Sequence, residues 1–194
     1  MNEMELYQNA LEAYGEGPKG LHWGDYFSMA KRFRYLVEDL DIKGRSILDA
    51  GCGMGDLLPY LHAKTDDFNY LGMDINANYI EIAKKRYHGH KFEVGNAFSD
   101  KLERRFDLVI TSGVMNTRIK NWQKHRQSMI KNAFSLASEA LAFNMAGRLG
   151  KAVEDTTIAY ANAFDVLNFC AQLTPKLIFK THYLPDDFAV IMYK

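Results

Sequence analysis

The segment "SILDAGCGMGDLLPYL", residues 46 to 61, constrains this chain more than any other stretch. An apolar run ends in Asp49, three glycines follow at alternate positions, and an amphipathic run begins behind them. Glycines in such a place mark a strand-to-helix turn where main-chain atoms approach something that any Cβ would push away. The first N–H groups of the following helix face the same spot. The chain around this turn has 194 residues, enough for one ordinary domain with a sizeable core. Its 24 basic and 24 acidic residues cancel, which disfavours non-specific binding to nucleic acid or anionic lipid. "MNEMELYQNALEAY" carries acidic residues where a secretory signal carries basic ones, and no later run reaches the ~18 apolar residues of a membrane helix. A soluble, cytoplasmic chain without membrane association is expected. Cys52 and Cys170 lack metal-ligand spacing, so free thiols and no metal are expected.

Apolar runs bounded by turn residues alternate with segments of helical period, the pattern of a parallel sheet covered on both faces. Strands are expected at "SILDAG", "NYLGMDI", "HKFEVGN", "FDLVITSG" and "ALAFNMAG", with helices beginning near Gly55, Asn76 and Ile119. A further helix near "ANAFDVLNFCAQ" precedes "KLIFKTHY". Only "LPDD" separates that strand from "DFAVIMYK", too short for a helical crossover, so the two should form an antiparallel hairpin. Before the first strand, Phe27, Ala30, Phe33, Val37 and Leu40 recur at three- and four-residue steps and predict an amphipathic helix laid on the sheet.

In an open α/β sheet, ligands bind at the carboxyl edge, where the glycine loop sits. A dinucleotide loop needs G-x-G-x-x-G, and the position of its third glycine is Asp56 here. A carboxylate there repels a pyrophosphate, whereas Asp49 attracts an ammonium group. The ligand should therefore be cationic or zwitterionic on this side. At this point "DAGCGMG" resembles the first motif of class I S-adenosylmethionine-dependent methyltransferases, an acidic residue, x, then G-x-G-x-G. The resemblance implies an α/β fold: a seven-stranded, Rossmann-like three-layer αβα sandwich, mostly parallel, with an antiparallel last strand. It implies one methyltransferase domain over 1–194, with 1–45 as a helical cap segment and 46–194 as the catalytic core.

It also implies S-adenosyl-L-methionine as cofactor, with S-adenosyl-L-homocysteine as product. Asp49, Gly51 and Gly53 then contact the methionine part and ribose, and Cys52 lies between the glycines. Asp74, ending the second strand, accepts from the ribose hydroxyls, and Ile75 packs on the adenine. Asn96 and the Ala97 amide read the adenine edge, and Ser112 stands at the turn "TSGVMN" after strand four. Asp74 and Asn96 also suit capping roles. The N-terminal "YGEGPKGLHWGDYFSMAKRF" further resembles a poorly characterised bacterial branch with Y-G-x-x-P, Trp-Gly and Arg-Phe. This adds Tyr14 and Trp23 as closing groups and Arg32 as a fork for the methionine carboxylate; core packing and a solvated helix arginine are the alternatives.

Methyl transfer needs mainly positioning, so no catalytic residue is assigned. Asn116 and Asn144, polar residues at the ligand edge, and His22 near the cap are candidates for orienting the acceptor; His182 and Tyr183 are possible bases. The turn "TSGVMN" lacks the Asn/Asp-Pro-Pro-aromatic pattern of enzymes that methylate nucleobases or glutamine. The basic run Lys120, Lys124, His125, Arg126 and Lys131 reads as a solvated helix face. A small-molecule substrate and no nucleic acid are therefore expected, with "RLGKAVEDTTIAY" as a lid loop. Aminopropyl transfer on the same scaffold and cofactor binding without catalysis are the alternative functions.

Overall fold

The computed structural model describes residues 3–100, 102–150 and 158–194. Two helices, α1 (Glu3–Tyr14) and α2 (Tyr26–Val37), flank a short 3-10 turn at Pro18–Leu21 and precede the sheet. The central chain runs β1 (Arg45–Ala50), α3 (Leu58–His62), β2 (Phe68–Asp74), α4 (Ala77–Arg86), β3 (Lys91–Val94), β4 (Phe106–Ser112), α5 (Trp122–Leu136) and β5 (Ala137–Arg148). The rest is β6 (Ala161–Asn162), α6 (Ala163–Leu173), β7 (Leu177–Lys180) and β8 (Asp187–Tyr193). The strand order is β3-β2-β1-β4-β5-β8-β7, with the two-residue β6 paired to β5. β8 runs antiparallel between β5 and β7, as the short "LPDD" connection requires. β6 was not visible as a strand in the sequence, because two residues carry no period.

Apolar side chains alternate across the sheet and divide the core. On one face Leu48, Val109, Leu141 and Phe143 pack with Met129, Ile130 and Cys170 of α5 and α6. On the other, Ile47, Leu108 and Ile110 pack with Phe33 and Leu36 of α2 and with Leu58, Leu61 and Ile80 of α3 and α4. Both cysteines are buried free thiols. Asp25 caps α2 by accepting from the Ser28 amide at 2.7 Å. The stripe that α2 buries is Met29, Phe33, Leu36 and Val37, rotated from the expected face, and Phe27 is 67% exposed. α3 begins at Leu58, three residues beyond Gly55, because residues 51–57 form turns.

The glycines of the loop are required by their own surroundings. At Gly51, with φ +77°, an added Cβ would lie 2.2 Å from Val114 Cγ2; at Gly53, with φ +53°, it would lie 2.8 Å from Leu21 Cδ2. The space cleared at these positions is filled by two side chains that themselves border the ligand cavity described below. Gly51→Ala is expected to destabilise the protein by about 1–3 kcal/mol through clash and left-handed backbone. Thermal unfolding checks this; an unchanged midpoint contradicts it.

Candidate functional site

The strand order reverses between β1 and β4, and a cavity of about 760 Å³ opens at the carboxyl ends of β1, β2 and β4. The N-terminal cap forms one of its walls. Tyr79 of α4 directs its hydroxyl between the carbonyls of Gly20 (2.6 Å) and Tyr7 (3.0 Å), which fastens the cap over the glycine loop. Arg86 adds contacts to the Glu16 carbonyl at 2.7 Å and to Asp56 Oδ1 at 3.3 Å.

Three carboxylates meet at the glycine-loop end. Asp49 is buried, and its Oδ2 accepts from the Tyr70 hydroxyl at 2.7 Å. Burial pushes its pKa up to about 7, with the Tyr70 hydrogen bond opposing and the Asp74 and Asp56 charges adding. Asp56 is also raised by burial, against the pull of Arg86. Asp74 is held rigidly: Oδ2 accepts from the Gly53 amide and Oδ1 from the Asn76 amide, each at 2.9 Å. The cap of α4 is Asn76, which accepts from the Asn78 amide, so Asp74, two positions earlier, is not the cap. Such a wall favours a cation.

Of the candidate site residues from the sequence, Tyr14, Asn144, His182 and Tyr183 do not line the cavity, and the others do. Tyr14 ends α1 at 61% exposure, outside the cavity wall. Asn144 lies buried in β5 beside the end of β4, where its Oδ1 accepts from Ser112 Oγ at 3.1 Å and from the Gly113 amide at 2.9 Å. It shapes the turn instead of facing a ligand. Asn116 does face the cavity while its Oδ1 accepts from the Ala146 amide at 2.8 Å. Asn96 Oδ1 accepts from the Phe98 amide at 3.0 Å, a turn-capping bond made at the cavity edge. His22, with φ 57°, places Nε2 3.0 Å from the Leu6 carbonyl, so that nitrogen donates to the cap.

Arg32 donates from Nε to Asp187 Oδ2 at 2.7 Å, and its guanidinium lies 4.9 Å from the Trp23 ring centroid. Asp187 Oδ1 also accepts from the Tyr183 hydroxyl. Arg32 is thus aimed by two neighbours, and its terminal nitrogens have no protein acceptor among the described residues. Tyr183 is buried against Asp187 and His182 packs edge-on to Tyr35; neither lines the cavity, so neither reaches it as a base.

The basic helix face needs correction at one position. Arg126 is 5% exposed and donates to the carbonyls of Met115 (3.0 Å) and Ala159 (2.6 Å), and burial lowers its pKa to about 10. It joins two segments of cavity wall. His125, Ser128, Met129 and Asn132 of α5, spaced as one helix face, also line the cavity. Their polar stripe beside an apolar face was readable in the sequence and was missed. Tyr70 was also missed, although a tyrosine within a buried strand needs a hydrogen-bond partner. Of the expected lid, residues 151–157 lie outside the described residues.

Comparison with known proteins agrees with this geometry. A family model described as "Methyltransferase domain" matches residues 47–139, just under half of the chain. A Mycobacterium tuberculosis protein named as a methyltransferase, Rv1506c, is 24% identical over 77% of this chain and 93% of its own length. The ubiquinone biosynthesis O-methyltransferase of Coxiella burnetii is 27% identical over 70% of this chain and 58% of its own. Among solved structures, magnesium protoporphyrin IX methyltransferase from Synechocystis, with bound SAH, superposes with a TM-score of 0.65 at 18% identity, covering 87% of this chain and 81% of that one. That superposition carries the fold, and the domain match places a methyltransferase domain at residues 47–139. Residues 47–139 match a methyltransferase domain, and the chain has the Rossmann-like fold of S-adenosylmethionine-dependent methyltransferases.

Proposed function

We propose that this chain transfers a methyl group from S-adenosylmethionine to oxygen or nitrogen of a small-molecule acceptor. The observation that carries the reading is the joined cavity of about 760 Å³, walled by the cap, the glycine loop and the turn after β4. That is within the size range of small-molecule sites. The Coxiella relative and the Synechocystis neighbour are both named for small-molecule chemistry, which supports the same class here.

The residues present fit the cofactor. Asp49 receives the ammonium group, the Asp74 carboxylate accepts from the ribose hydroxyls, and Ile75, Asn96 and the Ala97 amide border the adenine. Arg32, held by Asp187 and Trp23, turns its terminal nitrogens to the methionine carboxylate. When bound, the cofactor supplies a methyl carbon already activated by a sulfonium. The protein's share is to exclude water with the cap and to orient the acceptor from Asn116 and His22, without an assigned base.

The test uses methyl-labelled S-adenosylmethionine and a desalted cell extract. Label is expected in the low-molecular-weight fraction; label confined to protein or nucleic acid contradicts a small-molecule acceptor. Arg32→Ala is expected to weaken S-adenosylmethionine binding about tenfold or more, as loss of a charge-assisted pair does. Calorimetric titration checks it, and normal affinity would favour aminopropyl transfer, which has little use for a carboxylate clamp.

A further inference from the structure

The cavity occupies the carboxyl edge of the sheet; a separate polar cluster sits at the opposite edge, where β2 and β3 begin. His62 closes α3, and His90 stands immediately before β3. Asp66 Oδ1 lies 2.6 Å from His62 Nδ1, and His62 Nε2 lies 2.9 Å from His90 Nε2. An ionised carboxylate only accepts, so His62 Nδ1 carries the proton and donates. In the neutral form of that ring, Nε2 presents a bare lone pair toward His90. The His90 ring is fixed by stacking on Phe68, with centroids 5.8 Å apart and planes at 10°, and by an edge contact with Tyr70 at 5.6 Å. Two imidazole nitrogens from different elements are thus aimed at one another.

We propose that His62 and His90 form a binding site for a divalent transition metal of borderline softness, zinc or copper, with Asp66 orienting His62 from behind. Two nitrogens bound to one tetrahedral zinc at 2.0–2.1 Å stand about 3.3 Å apart, so the pair opens by a few tenths of an ångström and the two rings tilt until their lone pairs converge on the ion instead of on each other. Imidazole suits both metals, and a carboxylate on the far ring nitrogen fixes the tautomer that ligates. His90 moves its ring proton to Nδ1 through solvent, so binding to the neutral pair needs no net proton release. Among the described residues no group of three or more His, Cys, Asp or Glu side chains is set to hold one ion, so water completes the coordination and the ion exchanges with solvent. The bound ion ties the end of α3 to the start of β3 across the beginning of β2, the strand whose other end carries Asp74. Copper binds more tightly than zinc at a given set of ligands.

Untagged full-length protein is titrated separately with Cu²⁺ and Zn²⁺ by calorimetry, and the copper complex is examined by electron paramagnetic resonance. The expected result is one equivalent of each metal, with hyperfine structure from two imidazole nitrogens. His62→Gln and His90→Gln each weaken binding at least tenfold, and Asp66→Asn weakens it about 10- to 100-fold. Circular dichroism and melting of each variant separate loss of ligand from loss of fold. Absence of saturable binding below about 1 mM overturns the proposal. So does binding that persists unchanged in His90→Gln, which would place the metal on other histidines. Unchanged affinity in Asp66→Asn overturns the orienting role.

Discussion

Asp49→Asn is expected to abolish measurable S-adenosylmethionine binding while raising the melting temperature of the ligand-free protein. Both effects follow from one buried carboxylate. With no ligand, Asp49 is held away from water beside Asp74 and Asp56, and its pKa stands near 7. The unfolded chain gives up that proton near pH 4, so the protonated carboxyl contributes stability that is present below pH 4 and is lost as the pH rises to about 7. Asn keeps an acceptor for the Tyr70 hydroxyl and removes the ionisation, which restores that stability at neutral pH. A gain of about 2–4 °C per kcal/mol is the scale for a chain of this size.

A cationic ammonium reverses the balance, because it favours the charged carboxylate. Cofactor affinity should then rise with pH and level off near pH 7, changing about tenfold per unit below that point. In Asp49→Asn this dependence disappears with the affinity, which falls roughly 100-fold or more, as when one partner of a buried charge pair is removed. Calorimetry between pH 5.5 and 8.5 and thermal melts measure both halves. A variant that binds normally, or one that melts lower than the parent, contradicts the assignment of Asp49.

Asp74→Ala is expected to be nearly as severe for a different reason. Its two oxygens already accept from the Gly53 and Asn76 amides at 2.9 Å each, so the carboxylate joins the glycine loop to the end of β2. Removing it leaves two amides without that partner and withdraws the acceptor for the ribose hydroxyls. Charge-assisted hydrogen bonds contribute about 1.5–3 kcal/mol each, so affinity should drop about 100-fold. Unlike Asp49→Asn, this variant should melt below the parent. Normal binding by Asp74→Ala would remove the ribose role.

The sheet was legible because its strands are buried runs between turn residues, and the hairpin because four residues cannot carry a helix. The glycine loop with Asp49 and Asp74 was legible because local chemistry fixes both ends of one βαβ unit. The stripe of α2 was misplaced because Phe27 fits the helical step but lies in the first turn, 67% exposed with only the Lys31 ammonium over its ring. Arg126 looked like its basic neighbours; only the tertiary structure brings the Met115 and Ala159 carbonyls to it. Asn144 and Asn116 were indistinguishable as polar residues at strand ends, yet one supports the turn from the neighbouring strand and the other faces the cavity. The pairing of Arg32 with Asp187 spans 155 positions, beyond any spacing rule. The resemblance to a known family gave Arg32 a ligand role, and the structure adds what aims it.

The most direct measurement is a crystal structure of the complex with S-adenosylhomocysteine. The ligand's ammonium is expected within hydrogen-bond distance of Asp49, both ribose hydroxyls on the Asp74 carboxylate, and the sulfur facing open space toward Asn116 and His22. A ligand seated elsewhere, or one whose amino-acid end lies away from Asp49, would contradict it.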